Sequence, residues 1–175
     1  MQNKIAGYDV IRLMRQNFVL ISALCLWLLL YQDALITSMR IWYVSEIFTH
    51  GFFVIPGALY FIWRERAALA KHSPITNYWV LLLLIPMLFL GLFGMVGGIQ
   101  VFTHISVFTV LPLAIWFCLG NVMARVIWFP LCFMLFSIPI GEELVPFLQK
   151  ITAELAVVML GWTSIPIFNT GLYIE

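Results

Sequence analysis

From His72 to Ala124 the sequence contains no aspartate, glutamate, lysine or arginine. A run this long without a charge has no polar face to offer water, and it limits the chain to a lipid-solvated fold. It is also too long for one membrane helix, which needs about 17–25 mostly apolar residues. Gly97-Gly98 divides it, predicting a helix over about 77–96 and another over about 99–119, joined as a tight hairpin. The rest of the chain agrees. Hydrophobic residues make up 63% of the 175 residues and charged residues 10%, where a soluble domain is about one quarter charged. The net charge of +1 gives no basic surface for nucleic acid.

Charges mark the other breaks. Uncharged stretches predict spans at about 16–32, between Arg15 and Asp33, and about 47–63, between Glu46 and Arg64. A further span follows Arg125, at about 126–140. The fold class expected is therefore all-α: a polytopic transmembrane helix bundle of about five spans, in one integral membrane domain. Residues 32–46 read as a polar connection. Lys4, Arg12 and Arg15 precede the first span, Arg64, Arg66 and Lys71 follow the second, and Arg125 follows the fourth. By parity all fall on one side, and the positive-inside rule makes that side cytoplasmic. Glu142 and Glu143 then face outward. No small-residue cleavage site follows Tyr31, so the first apolar run reads as a retained span rather than a signal peptide.

The segment "EELVPFLQKITAELAVVMLGW" predicts an amphipathic helix over about 143–162. Its Glu143, Lys150 and Glu154 share a narrow stripe at about 100° per residue. Two arrangements remain open: a helix lying in or re-entering the outer interface, or a span with the stripe turned toward other helices. The tail "IPIFNTGLYIE" reads as a short strand or extended loop.

Few residues suggest chemistry. Adjacent Glu142 and Glu143 in "SIPIGEELVP" point about 100° apart on a helix and do not converge on one atom. Phe147 stands where a prenyl-protein-processing type of membrane protease would carry arginine. The pair reads as a solvated helix start that complements the exposed amides. Glu46 and His50 are spaced to share a helix face, and His104 is the other histidine within an apolar stretch, but no ligand cluster for a metal is present. Cys25, Cys118 and Cys132 lie in apolar runs and read as small hydrophobes. Cys132 falls about two turns beyond Arg125, too far for direct contact. Arg125 reads as an interfacial anchor, and Trp42, Trp63, Trp79 and Trp128 as belt residues. Gly91, Gly94, Gly97 and Gly98 suit close helix packing.

Two stretches carry a resemblance. One runs from His50-Gly51 through "FFVIPGALYFIW" to Trp63, with Arg64 and Arg66 beyond. The other is "FPLCFMLFSIPIGEELVPFLQKITAELAVVMLGWTSIPIF", from Phe129 to Phe168. In order and wording they resemble the exosortases, the second stretch most closely exosortase A. The resemblance implies a multi-pass bacterial inner-membrane protein, a thiol-dependent protease or transpeptidase. Its partners would be exported proteins carrying a PEP-CTERM sorting signal, cut on the periplasmic side, often alongside exopolysaccharide synthesis. It implies no cofactor. The family positions present are His50, Gly51, Pro56, Trp63, Pro139, Gly141, Glu142 and Glu143, as substrate contacts or supports of the site. The family's nucleophilic cysteine sits in a Cys-Ser-Gly setting beyond the segment matching "IPIFNTGLYIE", so no catalytic residue is expected within residues 1–175. The expectation is the N-terminal portion of an exosortase, inactive by itself. With the outer side set by parity, the last helix is expected to lie at the interface or to dip and return. The competing reading is a small polytopic carrier or a subunit of a membrane complex without catalysis.

Overall fold

The computed structural model describes residues 18–141, 145–161, 169–170 and 173–174. They form two compact units, residues 1–139 and 140–175. In the first, α1 is Phe18–Leu30 and α2 is Gln32–Val44. Next come α3, Gly51–Arg64, and the single turn α4, Arg66–Leu69. A 3₁₀ turn, Tyr78–Val80, leads into α5, Leu81–Gly97. The last elements are α6, Gln100–Val126, and α7, Trp128–Phe133, which ends in a 3₁₀ turn, Met134–Ser137.

The hairpin predicted from the charge-free run is present. Gly98 adopts the left-handed conformation (φ 67°) that closes α5, and its N–H bonds to the Gly94 carbonyl. Left-handed backbone is where glycine costs least. Tyr78–Gly97 and Gln100–Val126 are the two helices long and apolar enough to cross a membrane. Half of the most apolar window of Gln100–Val126 is buried, against 17% for Tyr78–Gly97. Thus α6 is the central helix, while α5 presents Leu82, Phe89, Phe93 and Val96 outward. Gly91 and Gly94 are buried against Ser106 and Thr103 of α6, as their small size requires.

The connection expected at 32–46 is instead α2. It is bent 69° from α1 at Tyr31, and the pair counts as at most one broken span. Its charges mislead because Asp33 and Arg40 lie on the exposed face, while Ala34, Ser38 and Trp42, spaced by four, form the buried one. The bend is pinned from α6. Tyr31 is buried, and its hydroxyl lies 2.6 Å from Ser106 Oγ. Ser106 Oγ donates to the Met87 carbonyl at 2.6 Å, and Trp27 Nε1 donates to the Val107 carbonyl at 2.9 Å. Because Ser106 gives its proton to Met87, Tyr31 is the donor of the shared bond. Tyr31→Phe removes one buried bond and is expected to cost about 1 kcal/mol in a detergent thermal-unfolding assay.

Helix α3 starts later than the expected 47, because residues 46–50 form a turn. Thr49 Oγ1 donates to the Ser45 carbonyl at 3.0 Å and His50 Nδ1 to the Ile47 carbonyl at 3.0 Å. Such local bonds compete with helix. With 14 residues α3 is about 21 Å long, short of a hydrocarbon core of about 30 Å. The segment expected as a span at 126–140 is helical over Trp128–Ser137 and shorter still. These two short apolar helices pair antiparallel: Phe61 meets Phe129 at 5.2 Å, and Gly57 meets Phe133. Each of the five expected apolar segments thus contains a helix among the described residues, and two of these helices, or three counting the bent pair as one, are long enough to span.

The core follows α6 in layers. Tyr31, Ala34, Trp42, Phe48, Val107, Phe108 and Val110 lie toward the Gly98 end. Ala58, Leu111 and Met134 are central. Ala124, Ile127 and Leu131, with Ile62 and Leu69 against them, close the other end. Arg64, Arg66, Lys71 and Arg125 therefore gather at one end, as the α5–α6 hairpin between them requires; Lys4, Arg12 and Arg15 lie outside the described residues.

The far end of α6 hides a break at Gly120 (φ 79°, ψ 176°). Beside it runs the extended segment 73–77. Ile75 N–H donates to the Leu119 carbonyl at 3.3 Å, and Asn77 N–H to the Phe117 carbonyl at 3.0 Å.

In the second unit, α8 is Val145–Gly161. Lys150 Nζ and Glu154 Oε1 lie 4.0 Å apart on its exposed surface; Glu143 falls outside the described residues. Two short strands, β1 (Asn169–Thr170) and β2 (Tyr173–Ile174), pair antiparallel, Asn169 with Ile174 and Thr170 with Tyr173.

Candidate functional site

Two polar features lie toward the Gly98 end of α6. The first is a cavity of about 280 Å³ lined by Asp33 and Thr37 of α2, Gly94 and Met95 of α5, Gly98, and Gln100, Thr103 and His104 of α6. It exists because the bend at Tyr31 lays α2 across the hairpin. His104 is 2% exposed, so its ring needs a partner. Thr37 Oγ1 supplies one, 3.0 Å from Nε2. The same hydroxyl lies 3.0 Å from the Asp33 and Ala34 carbonyls. When its proton goes to either carbonyl, it accepts from Nε2–H and fixes that tautomer. A hydroxyl engaged this way is not being deprotonated by the imidazole. The arrangement offers hydrogen-bonding groups to the cavity and no activated nucleophile. No three His, Cys, Asp or Glu side chains gather as a metal set among the described residues.

The second feature is built around Trp42. Its indole is buried, with Phe52 edge-on and Phe108 tilted against it, both centroids 5.5 Å away. Trp42 Nε1 donates to the Ser137 carbonyl at 3.2 Å. A Cβ added at Gly51 would meet the Trp42 ring at 2.5 Å. One side chain thus joins α2, the start of α3, α6 and the turn that opens "SIPIG". Trp42 is no belt residue, in contrast to the exposed Trp63, Trp79 and Trp128.

The sequence-predicted residues separate. Gly51 is buried at the Trp42 contact, and Pro139 is buried two residues beyond Ser137. Gly141 has φ 133°. His50 is exposed at the N-terminal boundary of α3, with no side-chain capping bond, while His104 is buried. Glu46 is also exposed, and the helical face it was expected to share with His50 is replaced by the 46–50 turn. Pro56 is exposed within α3. Trp63 lies at the opposite end of α3, with the Arg66 guanidinium 4.0 Å over its ring. Glu142 and Glu143 lie outside the described residues. His50→Ala loses only an exposed local bond and is expected to change stability by under about 0.5 kcal/mol. An activity loss in that variant would then report function rather than folding.

Cys118 is buried, and Cys25 and Cys132 are exposed on their helices. Cys132 shares a second cavity with Arg125, although no bond joins them. Sequence reasoning missed Tyr31, Thr37 and Ser106 and gave Trp42 the wrong role. The Ala34–Ser38–Trp42 spacing was the available signal; the pairing of Thr37 with His104 had none.

The transmembrane exosortase family model (Exosortase_EpsH) matches residues 42–175. The chain belongs to the exosortase family. Exosortases are membrane proteins of a cysteine peptidase or transpeptidase kind. No curated protein and no solved structure matches the chain significantly. The exosortase match begins at Trp42, so it takes in the whole Trp42–Gly51–Ser137 contact. It leaves out Asp33 and Thr37, the α2 wall of the cavity at His104.

Proposed function

We propose that this exosortase takes part in thiol-dependent removal or transfer of PEP-CTERM sorting signals in a bacterial inner membrane, in the manner of exosortase A. The observation that carries this reading is the family match over residues 42–175. Exported proteins bearing the signal are the partners, and exopolysaccharide production is the setting. The grouping of Arg64, Arg66, Lys71 and Arg125 at one end agrees with a cytoplasmic placement of that end. The Gly98 end then faces the periplasm.

On this reading the Asp33–Thr37–Gln100–His104 cavity receives polar groups of the sorting signal, while the Trp42 contact holds Ser137 against α2. The chemistry needs a thiolate and donors for the oxyanion. The described residues contribute binding and positioning.

Deletion of the gene is expected to leave PEP-CTERM proteins with intact C-terminal signals, read by mass spectrometry of the exported fraction. Unchanged masses would favour the carrier or subunit reading. In the complemented strain, Thr37→Val keeps the shape and removes the hydroxyl. It is expected to lower processing about tenfold for a stability cost of about 1 kcal/mol.

A further inference from the structure

The second cavity, of about 340 Å³, is lined by Trp116, Asn121, Ala124, Arg125, Trp128, Leu131 and Cys132. Its lining brackets the Gly120 break in α6, with Trp116 before it and Asn121, Ala124 and Arg125 after it. Its polar groups are all donors toward a ligand. Asn121 Oδ1 already accepts from Asn77 Nδ2 at 2.7 Å and from Trp116 Nε1 at 2.8 Å. Those two donors fix which amide atom is oxygen. The Asn121 N–H groups are left over, with no acceptor among the described residues. Arg125 is exposed and has no ion pair among them. No carboxylate among them lines the cavity.

The walls are apolar. Trp116, Leu131 and Ala124 form them, and Trp128 is 62% exposed at the rim. Beside the cavity, Ile62 and Leu69 pack on Ala124, Ile127 and Leu131. That packing brings Arg64, Arg66 and Lys71 to the same end, where Glu65 is the one carboxylate among the described residues. A guanidinium takes a phosphate through two parallel N–H bonds. Basic pockets between membrane helices are suited to anionic lipid headgroups.

We propose that this cavity binds an anionic phospholipid, its phosphate held by Arg125 and the Asn121 amide and its glycerol and upper acyl carbons lying on Trp116, Trp128 and Leu131. The greasy walls select a lipid over a free anion, and the uncompensated cations select an anionic lipid over a zwitterionic one. Cys132, on the cavity wall, reports occupancy.

The test uses the full-length protein in detergent micelles with three additions: phosphatidylglycerol, phosphatidylcholine and inorganic phosphate. Native mass spectrometry is expected to show phosphatidylglycerol adducts that Arg125→Gln weakens about tenfold, and Arg125→Lys less, since it keeps the charge and loses the fork. Phosphatidylglycerol is also expected to slow bromobimane alkylation of Cys132 in the otherwise wild-type protein, with Cys25 as the internal comparison. That arm needs no variant at Arg125. Equal retention of phosphatidylcholine would overturn the proposal. So would protection by inorganic phosphate alone, an unchanged adduct in Arg125→Gln, or a Cys132 rate indifferent to lipid. These readouts are independent of sorting-signal processing, so the two readings stand or fall separately.

Discussion

Gly120→Val is expected to unfold the Arg-rich end of the bundle. Two independent costs act at this position. The backbone at φ 79°, ψ 176° lies in a region that is essentially open to glycine alone. A side chain there would also run into the Ile75 carbonyl oxygen. That oxygen is backbone, and the Ile75 and Asn77 N–H groups already hold its segment to the Leu119 and Phe117 carbonyls. Relief requires moving the segment and breaking those bonds. Strain and lost bonds together give at least about 3 kcal/mol, a large share of a domain's net stability. The midpoint of thermal or detergent unfolding measures it. Gly97→Ala is the matched comparison. A Cβ there meets only Ile99 side-chain atoms at 3.6 Å or more, and alanine favours helix by up to about 1 kcal/mol. The first variant should be nearly lost from the membrane fraction, and the second should equal or exceed wild type. Equal midpoints would mean that the close approach of segment 73–77 to α6 is wrong.

Gly51→Leu is the second large effect. The Trp42 indole occupies the space where the new side chain must go, and Phe52 and Phe108 prevent its retreat. Displacing the ring breaks its bond to the Ser137 carbonyl. It also leaves Ser137, whose buried hydroxyl has no partner among the described residues, with a second unsatisfied group. Overpacking plus the lost bond gives about 2–4 kcal/mol. Trp42→Ala should cost about as much by the opposite route, through a void. In the double variant Gly51→Leu, Trp42→Ala the leucine fills the vacated space, and part of the loss should return. Additive losses in that cycle would sink the assignment of Trp42 to this contact.

Much of this fold is written in local patterns. The absence of charge between His72 and Ala124 set the hairpin, and Gly97-Gly98 set its turn. The positive end followed from counting breaks. Helix α2 was also legible, in the Ala34–Ser38–Trp42 spacing, but Asp33 and Arg40 made the segment look like a loop because charge was read as a boundary rather than as the exposed face of a helix. The short reach of α3 and α7 was not legible, since apolar composition does not reveal where a turn or a break will interrupt a helix. The role of Gly120 depends on a segment more than forty residues earlier in the chain (Ile75, at position 75). The candidate cavity was illegible for the same reason. Thr37 and His104 are unremarkable in their own neighbourhoods, and only the fold of α1–α2 over the hairpin makes them partners.

The α3–α7 pair carries a consequence for the membrane itself. An element of about 21 Å set in hydrocarbon about 30 Å thick leaves a mismatch of about 9 Å. Lipid answers such a shortfall by compressing, while long cationic side chains stretch to reach the aqueous phase. Arg64, the exposed last residue of α3, is placed to do that. Tyr78–Gly97, by contrast, is long and apolar enough to cross. A bilayer of that thickness set against the α3–α7 pair is expected to thin on that flank, which would shorten the path to water for a polypeptide threading it.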